Sequence, residues 1–193
     1  MKTVVGTYDN IQTAYAVAND LISAGYSRND ISVVANDANK EYAPYVDGDG
    51  VNTVDTGDDV AKGAGIGAAI GGLGGLLVGL GALAIPGVGP VIAAGPLLAA
   101  LTGAGVGAVT GGIVGALVDL GIPDEEAHLY SEGLRRGHVL VIAQVPDASA
   151  NAVTRVMERP GLVDIHRQAD SWRASGWKAF DPDSELMTTN RRM

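Results

Sequence analysis

At 193 residues the chain holds one domain, or one domain carrying an insertion, and a separate catalytic domain is not expected. Hydrophobic residues at 47% against 18% charged exclude a wholly disordered chain, while 5% aromatics and 28 glycines call for an aliphatic core in which backbones approach closely. A net charge of −9 argues against nucleic acid, whose binding needs clustered Lys and Arg, and the lack of cysteine excludes disulfides, thiolate nucleophiles and Cys-ligated zinc.

Met1 to Tyr8 has the β-branched density of a short strand around Gly6. Asp9 with Gln12 three residues later forms a capping-box pattern. Ile11, Ala14, Tyr15, Ala18, Leu21 and Ile22 then recur at helical spacing until Gly25. Asp30 to Ala35 reads as a second strand, and the acidic stretch from Asn36 to Asp59 reads as a loop. Residues 1–60 are therefore expected to form the first half of a ferredoxin-like domain plus an acidic loop.

Residues 61–122 are a different material. No Asp, Glu, Lys or Arg occurs from Gly63 to Val118, and 19 of the 28 glycines lie between Gly63 and Gly121. Gly63, Gly67, Gly71, Gly75 and Gly79 fall at four-residue spacing, as do Gly95, Ala99, Gly103, Gly107, Gly111 and Gly115. On helices these positions form small-residue stripes that let a second helix approach closely. Each helical glycine costs about 1 kcal/mol relative to alanine, so the stripes call for compensating contacts. The breaker Ile85-Pro86-Gly87-Val88-Gly89-Pro90 between them predicts an apolar helical hairpin, with helices over 64–85 and 97–118. At 1.5 Å per residue each helix would reach about 33 Å, comparable with a ~30 Å hydrocarbon core. The flanks carry Asp47, Asp49, Asp55, Asp58, Asp59, Asp119, Asp124, Glu125 and Glu126, so the basic bias that orients membrane hairpins is missing. Three environments remain open for the hairpin: a bilayer, the interior of a soluble homo-oligomer, or an ordinary intramolecular core.

Pro123 opens a helix with Asp124, Glu125 and Glu126 in its first turn and Arg135 and Arg136 before Gly137, charges that complement the helix dipole. His138 to Val145 is an apolar strand suited to a central position. Asp147 to Met157 is a helix with Val153, Val156 and Met157 on one face, and Val163 to Gln168 alternates like a last strand. Residues 123–169 thus supply a helix and the second half of the domain, leaving 170–193 as an aromatic C-terminal tail. The expected class is α+β: a ferredoxin-like βαββαβ sandwich, helices on one face of an antiparallel sheet, with an inserted glycine-zipper helical hairpin.

The strand-helix-strand start, the glycine hairpin GAGIGAAIGGLGGLLVGLGALAIPGVGPVIAAGPLLAAL, the stretch GIPDEEAHLYSEGLRRGHVLV and the tail GWKAFDPD together resemble the bacterial general-stress protein family over nearly the whole chain. Relatives of that family are described as heat-induced or low-temperature-induced stress proteins, often as membrane proteins of unknown function. The resemblance implies induction under stress and membrane association. It carries no catalytic residues to this sequence.

Candidate chemistry is sparse. Gly63-x-Gly65-x-x-Ala68, Gly79-x-Gly81-x-x-Ala84 and Gly103-x-Gly105-x-x-Ala108 satisfy a dinucleotide fingerprint, but none follows a strand with a ribose-binding acid about 20 residues on, so no cofactor is expected. Asp47-Gly48-Asp49-Gly50 resembles a calcium loop until Val51, Asn52 and Asp58 fall at the positions that should carry an acid, Gly and Glu. His128, His138 and His166 are scattered, and neither a metal site nor a nucleophile elbow is expected. Trp172, Trp177 and Phe180 are anchors, either folding back over the sheet or a neighbouring subunit, or docking another protein or a bilayer interface.

The expected function is that of a non-enzymatic, self-associating stress protein. Gly63, Gly67, Gly71, Gly75, Gly79, Gly103, Gly107, Gly111 and Gly115 would make the oligomer or membrane contact. The partners are the chain itself, membrane lipid and a protein partner for the tail. No signal peptide is apparent, so a cytoplasmic domain associated with the inner membrane is expected. The alternative is a soluble cytoplasmic homo-oligomeric scaffold, a closed shell or filament, with the hairpin buried between subunits.

Overall fold

The computed structural model describes residues 1–38, 81–102, 106–158 and 161–183. Strand β1 (Lys2–Tyr8) leads into helix α1 (Ile11–Ser23), which Asn10 caps by accepting the Thr13 amide at 2.8 Å. The cap is one residue later than the Asp9–Gln12 pattern predicts. Gly25, at φ +94°, closes the helix with a Tyr26 amide to Leu21 carbonyl bond of 3.1 Å. Strand β2 (Ile31–Asn36) follows a short 3₁₀ turn and lies within one residue of the strand expected over Asp30 to Ala35.

The insertion departs from expectation. Over its described residues it starts with a β-hairpin, β3 (Gly81–Ile85) and β4 (Gly89–Ala94), so the end of the expected first helix is a strand. Gly87 and Gly89 take φ of +75° and +95° at the turn, where their lack of Cβ is needed. The expected second helix is two: α2 (Pro96–Thr102) and α3 (Val106–Asp119), the latter itself broken at Gly112, which has φ +54° and ψ −134°. Among the described residues no helix is long and apolar enough to cross a membrane.

Beyond it come α4 (Asp124–Arg135), capped at Pro123, then β5 (Val139–Val145) and α5 (Ala150–Met157). The stretch read as a last strand is instead helix α6 (Ile165–Ala174), capped by Asp164 accepting the Arg167 amide. Ile165, Ala169 and Trp172 are its buried face, at helical spacing. Of the expected fourth strand only Val163 pairs with β1, its amide donating to the Thr7 carbonyl at 2.7 Å, beside an isolated bridge between Tyr8 and the preceding Leu162.

The result is an α+β protein with one five-stranded antiparallel sheet in the order β1-β5-β2-β4-β3. The apolar run of β5 earns its central place because both of its faces are covered. Val139, Val141, Ala143 and Val145 pack toward α1 and α5 with Ile31, Val33 and Ile92; Leu140 and Ile142 pack toward α2, α3, α4 and α6 with Val34, Val91 and Ala93. Helices therefore lie on both faces, and the face expected to be open is covered. Ile85, Val88, Leu97, Ile113, Ala116, Leu117 and Leu120 of the insertion all sit in this second core, where each large aliphatic side chain contributes roughly 1.5–3 kcal/mol of transfer free energy. Ser32 fastens α2 to the sheet by accepting the Leu97 amide at 3.0 Å, and Thr3 donates its hydroxyl to the Leu120 carbonyl.

Candidate functional site

Of the residues expected to form the contact stripes, Gly63, Gly67, Gly71, Gly75, Gly79 and Gly103 lie outside the described residues. Gly107, Gly111 and Gly115 belong to α3, and their helix is interrupted at Gly112 between the second and third, so these positions do not share one continuous helical stripe. Gly95 is not helical: it joins β4 to α2 at φ +80°.

The first described strand of the insertion is an edge of the sheet. β3 reads Gly-Ala-Leu-Ala-Ile, with Ala82 and Ala84 exposed and Ile85 buried, and among the described residues no strand pairs with its outer side. The opposite edge differs. β1 begins with Lys2 and its end is held by the Leu162–Val163 bridge. Charges and coverings of that kind blunt an edge, and β3 has no charged residue.

The aromatic residues pack within the chain. Trp172 on α6 and Phe180 are each 5% exposed in the second core, and Trp177 packs edge-on to Trp172 with centroids 5.8 Å apart. The segment crosses the β3–β4 turn so closely that a Cβ on Gly87 would meet the Phe180 ring at 3.0 Å.

These aromatics also position a charged cluster. On the last turns of α4, Glu132 is fully buried and pairs with both Arg135, at 2.5 Å, and Arg136, at 2.6 Å. The i, i+3 and i, i+4 spacing puts both guanidiniums on the carboxylate's side of the helix. The Arg136 guanidinium lies 4.7 Å from the Trp172 ring centroid and that of Arg135 lies 5.5 Å from Phe180. Gly137, at φ +94°, then turns the chain, with the His138 amide bonding the Gly133 carbonyl at 3.0 Å. His138 Nδ1 is 3.3 Å from Asp9 Oδ1, and burial pushes its pKa down, a shift that the Asp9 charge opposes.

Arg135 and Arg136 line a cleft of about 340 Å³ at this end of the sheet, together with Asp9, Asn10, Gln12 and Asn36. Sequence reasoning assigned the two arginines to the helix dipole and did not single out Glu132. The signal was the E-x-x-R-R spacing ahead of a helix-ending glycine. Among the described residues no three His, Asp or Glu side chains converge as metal ligands. Neither a protein-family model, a curated protein nor a solved structure matches the chain.

Proposed function

We propose that the protein is a non-enzymatic, self-associating protein whose uncharged glycine-rich segment supplies the contact between copies, with β3 as part of that contact. The observation that carries this reading is the edge itself, the outer strand among the described residues, with two exposed alanines and no charge, opposite an edge that is partly covered. A second copy of the same strand would meet it without charge repulsion and would pair its outward N–H and C=O groups. Contact between copies is favoured over insertion into lipid because residues 81–94 are strands of the protein's own sheet and the helices that follow pack upon it. The ferredoxin-like character rests on β1-β5-β2, the spatial order that the first three strands of that fold would take. Stress induction is added by the family resemblance alone.

Sedimentation of the intact chain beside Ala84→Lys tests the reading. The intact chain should sediment above its 19.6 kDa monomer mass, and a lysine at the exposed edge should return it toward that mass. An intact chain that stays monomeric, or an assembly unmoved by Ala84→Lys, overturns it.

A further inference from the structure

We propose that the cleft between the start of α1 and the end of α4 binds an α-amino acid with an uncharged polar side chain, its carboxylate toward Arg136 and its ammonium toward Asp9. A volume of about 340 Å³ is at the small end of ligand sites and suits one such molecule. The charges around the cleft balance. Arg135 and Arg136 stand against Glu132 and Asp9, so neither an anion nor a cation is favoured as a whole. The charges are nevertheless held apart. Arg136 caps the end of α4, Asp9 lies just ahead of α1, and among the described residues no ion pair joins the two. Opposite charges that face one cleft and sum to zero are complementary to a zwitterion.

Arg136 is the cationic partner, because Arg135 has a further interaction of its own. Arg136 donates Nε to Glu132 at 2.6 Å and lies against Trp172, so its guanidinium plane is fixed, and its 34% exposure leaves the terminal nitrogens to form a planar fork with a carboxylate. On the other wall Asp9 is 67% exposed. Its neighbour His138, at 3.3 Å, is kept largely uncharged at neutral pH by burial, so that ring does not cancel the carboxylate's charge. Asn10 commits Oδ1 to the Thr13 amide, which leaves its amide nitrogen as a donor at the cleft wall, and the exposed Gln12 offers a donor and an acceptor. These amides suit an uncharged polar side chain, whereas a charged one would upset the balance.

The test is calorimetric titration of the full chain at neutral pH with L-glutamine and L-serine, each beside its N-acetyl derivative, which lacks the ammonium, and its amide, which lacks the carboxylate. At least one of the two amino acids should bind saturably, and both of its capped forms should bind roughly tenfold or more weakly, since each leaves one charge of the cleft unmatched. Asp9→Asn changes an exposed side chain outside α1 and should abolish the discrimination against the N-acetyl form while the discrimination against the amide remains. Arg136→Gln should abolish the latter, and if that variant does not fold, Asp9→Asn still decides. Absence of saturable binding by both amino acids, capped forms that bind as well as the parent, or an unchanged preference in Asp9→Asn overturns the site.

Discussion

The Arg136 guanidinium lies 4.7 Å from the Trp172 ring centroid while its Nε donates to Glu132, so one arginine joins the end of α4 to the face of α6. Glu132 is the hub of this joint. Its Gln variant leaves two adjacent guanidiniums without their shared counter-charge, and removing one partner from a buried ion pair costs about 3–5 kcal/mol. Urea unfolding of Glu132→Gln should show that loss at neutral pH, and a change under about 1 kcal/mol would mean that solvent already carries the arginines' charge.

Two glycines with similar backbone angles should respond differently to alanine. At Gly95, φ +80°, a Cβ would run into the Ile31 carbonyl and lie 2.9 Å from the Ser32 Cα, both backbone atoms that cannot step aside. At Gly25, φ +94°, the same Cβ meets nothing within 4 Å. Gly25→Ala should cost about 1–2 kcal/mol of left-handed strain, and Gly95→Ala about 3 kcal/mol or more, since steric overlap adds to that strain. Equal losses in denaturant unfolding would show that the β4–α2 junction yields.

His138 makes stability depend on mildly acidic pH. Burial lowers its folded-state pKa beneath the ordinary 6.5, so the unfolded chain binds the proton more readily. The contribution is complete above pH 6.5 and is lost as pH falls below it toward the folded pKa. Asp9→Asn removes the charge that partly offsets burial and should steepen the loss, whereas His138→Gln should flatten the profile over this interval. Unfolding free energies measured across that range in the three proteins decide the matter.

Tyr130 has the opposite sign at the other end of the scale. Burial, then the neighbouring Glu126 charge and hydrogen bond, push its phenol up to about 12 from 10.0. The folded state therefore holds its proton where the unfolded chain releases it, and stability declines as pH rises from 10 toward 12. Phenolate absorbance should show tyrosine titration well above the ordinary value, and Tyr130→Phe should lower its amplitude by one phenol.

The polar thirds of the chain were largely legible because charge contrast sets the period. In α1, α4 and α5 apolar residues recur against polar ones, and Asp124, Glu125 and Glu126 with Arg135 mark the two ends of α4. The insertion has no such contrast. With every position from 63 to 118 apolar or glycine except Thr102 and Thr110, four-residue spacing alone cannot distinguish a helix from a sequence that also needs glycine at Gly87, Gly89, Gly95 and Gly112 for positive φ. At 163–168 two periods competed. Alternation favoured a strand, while the Asp164 cap and the Ile165, Ala169, Trp172 face favoured the helix that forms, with the burial of Trp172 deciding. The charged cluster was hidden because its parts come from α4, α6 and the tail, and only the fold brings Phe180 and Trp172 to Arg135 and Arg136.

The place of β5 also bears on how the chain comes off the ribosome. It hydrogen-bonds to β1 on one side and to β2 on the other, yet among the described residues it is the last strand to be synthesised. Until residue 145 has emerged, β1 and β2 have no common neighbour, and the aliphatic residues of the insertion have only part of the surface that finally covers them. Nascent chains of this protein thus carry a long sticky interval between first and last strand, the circumstance in which molecular chaperones are engaged during translation.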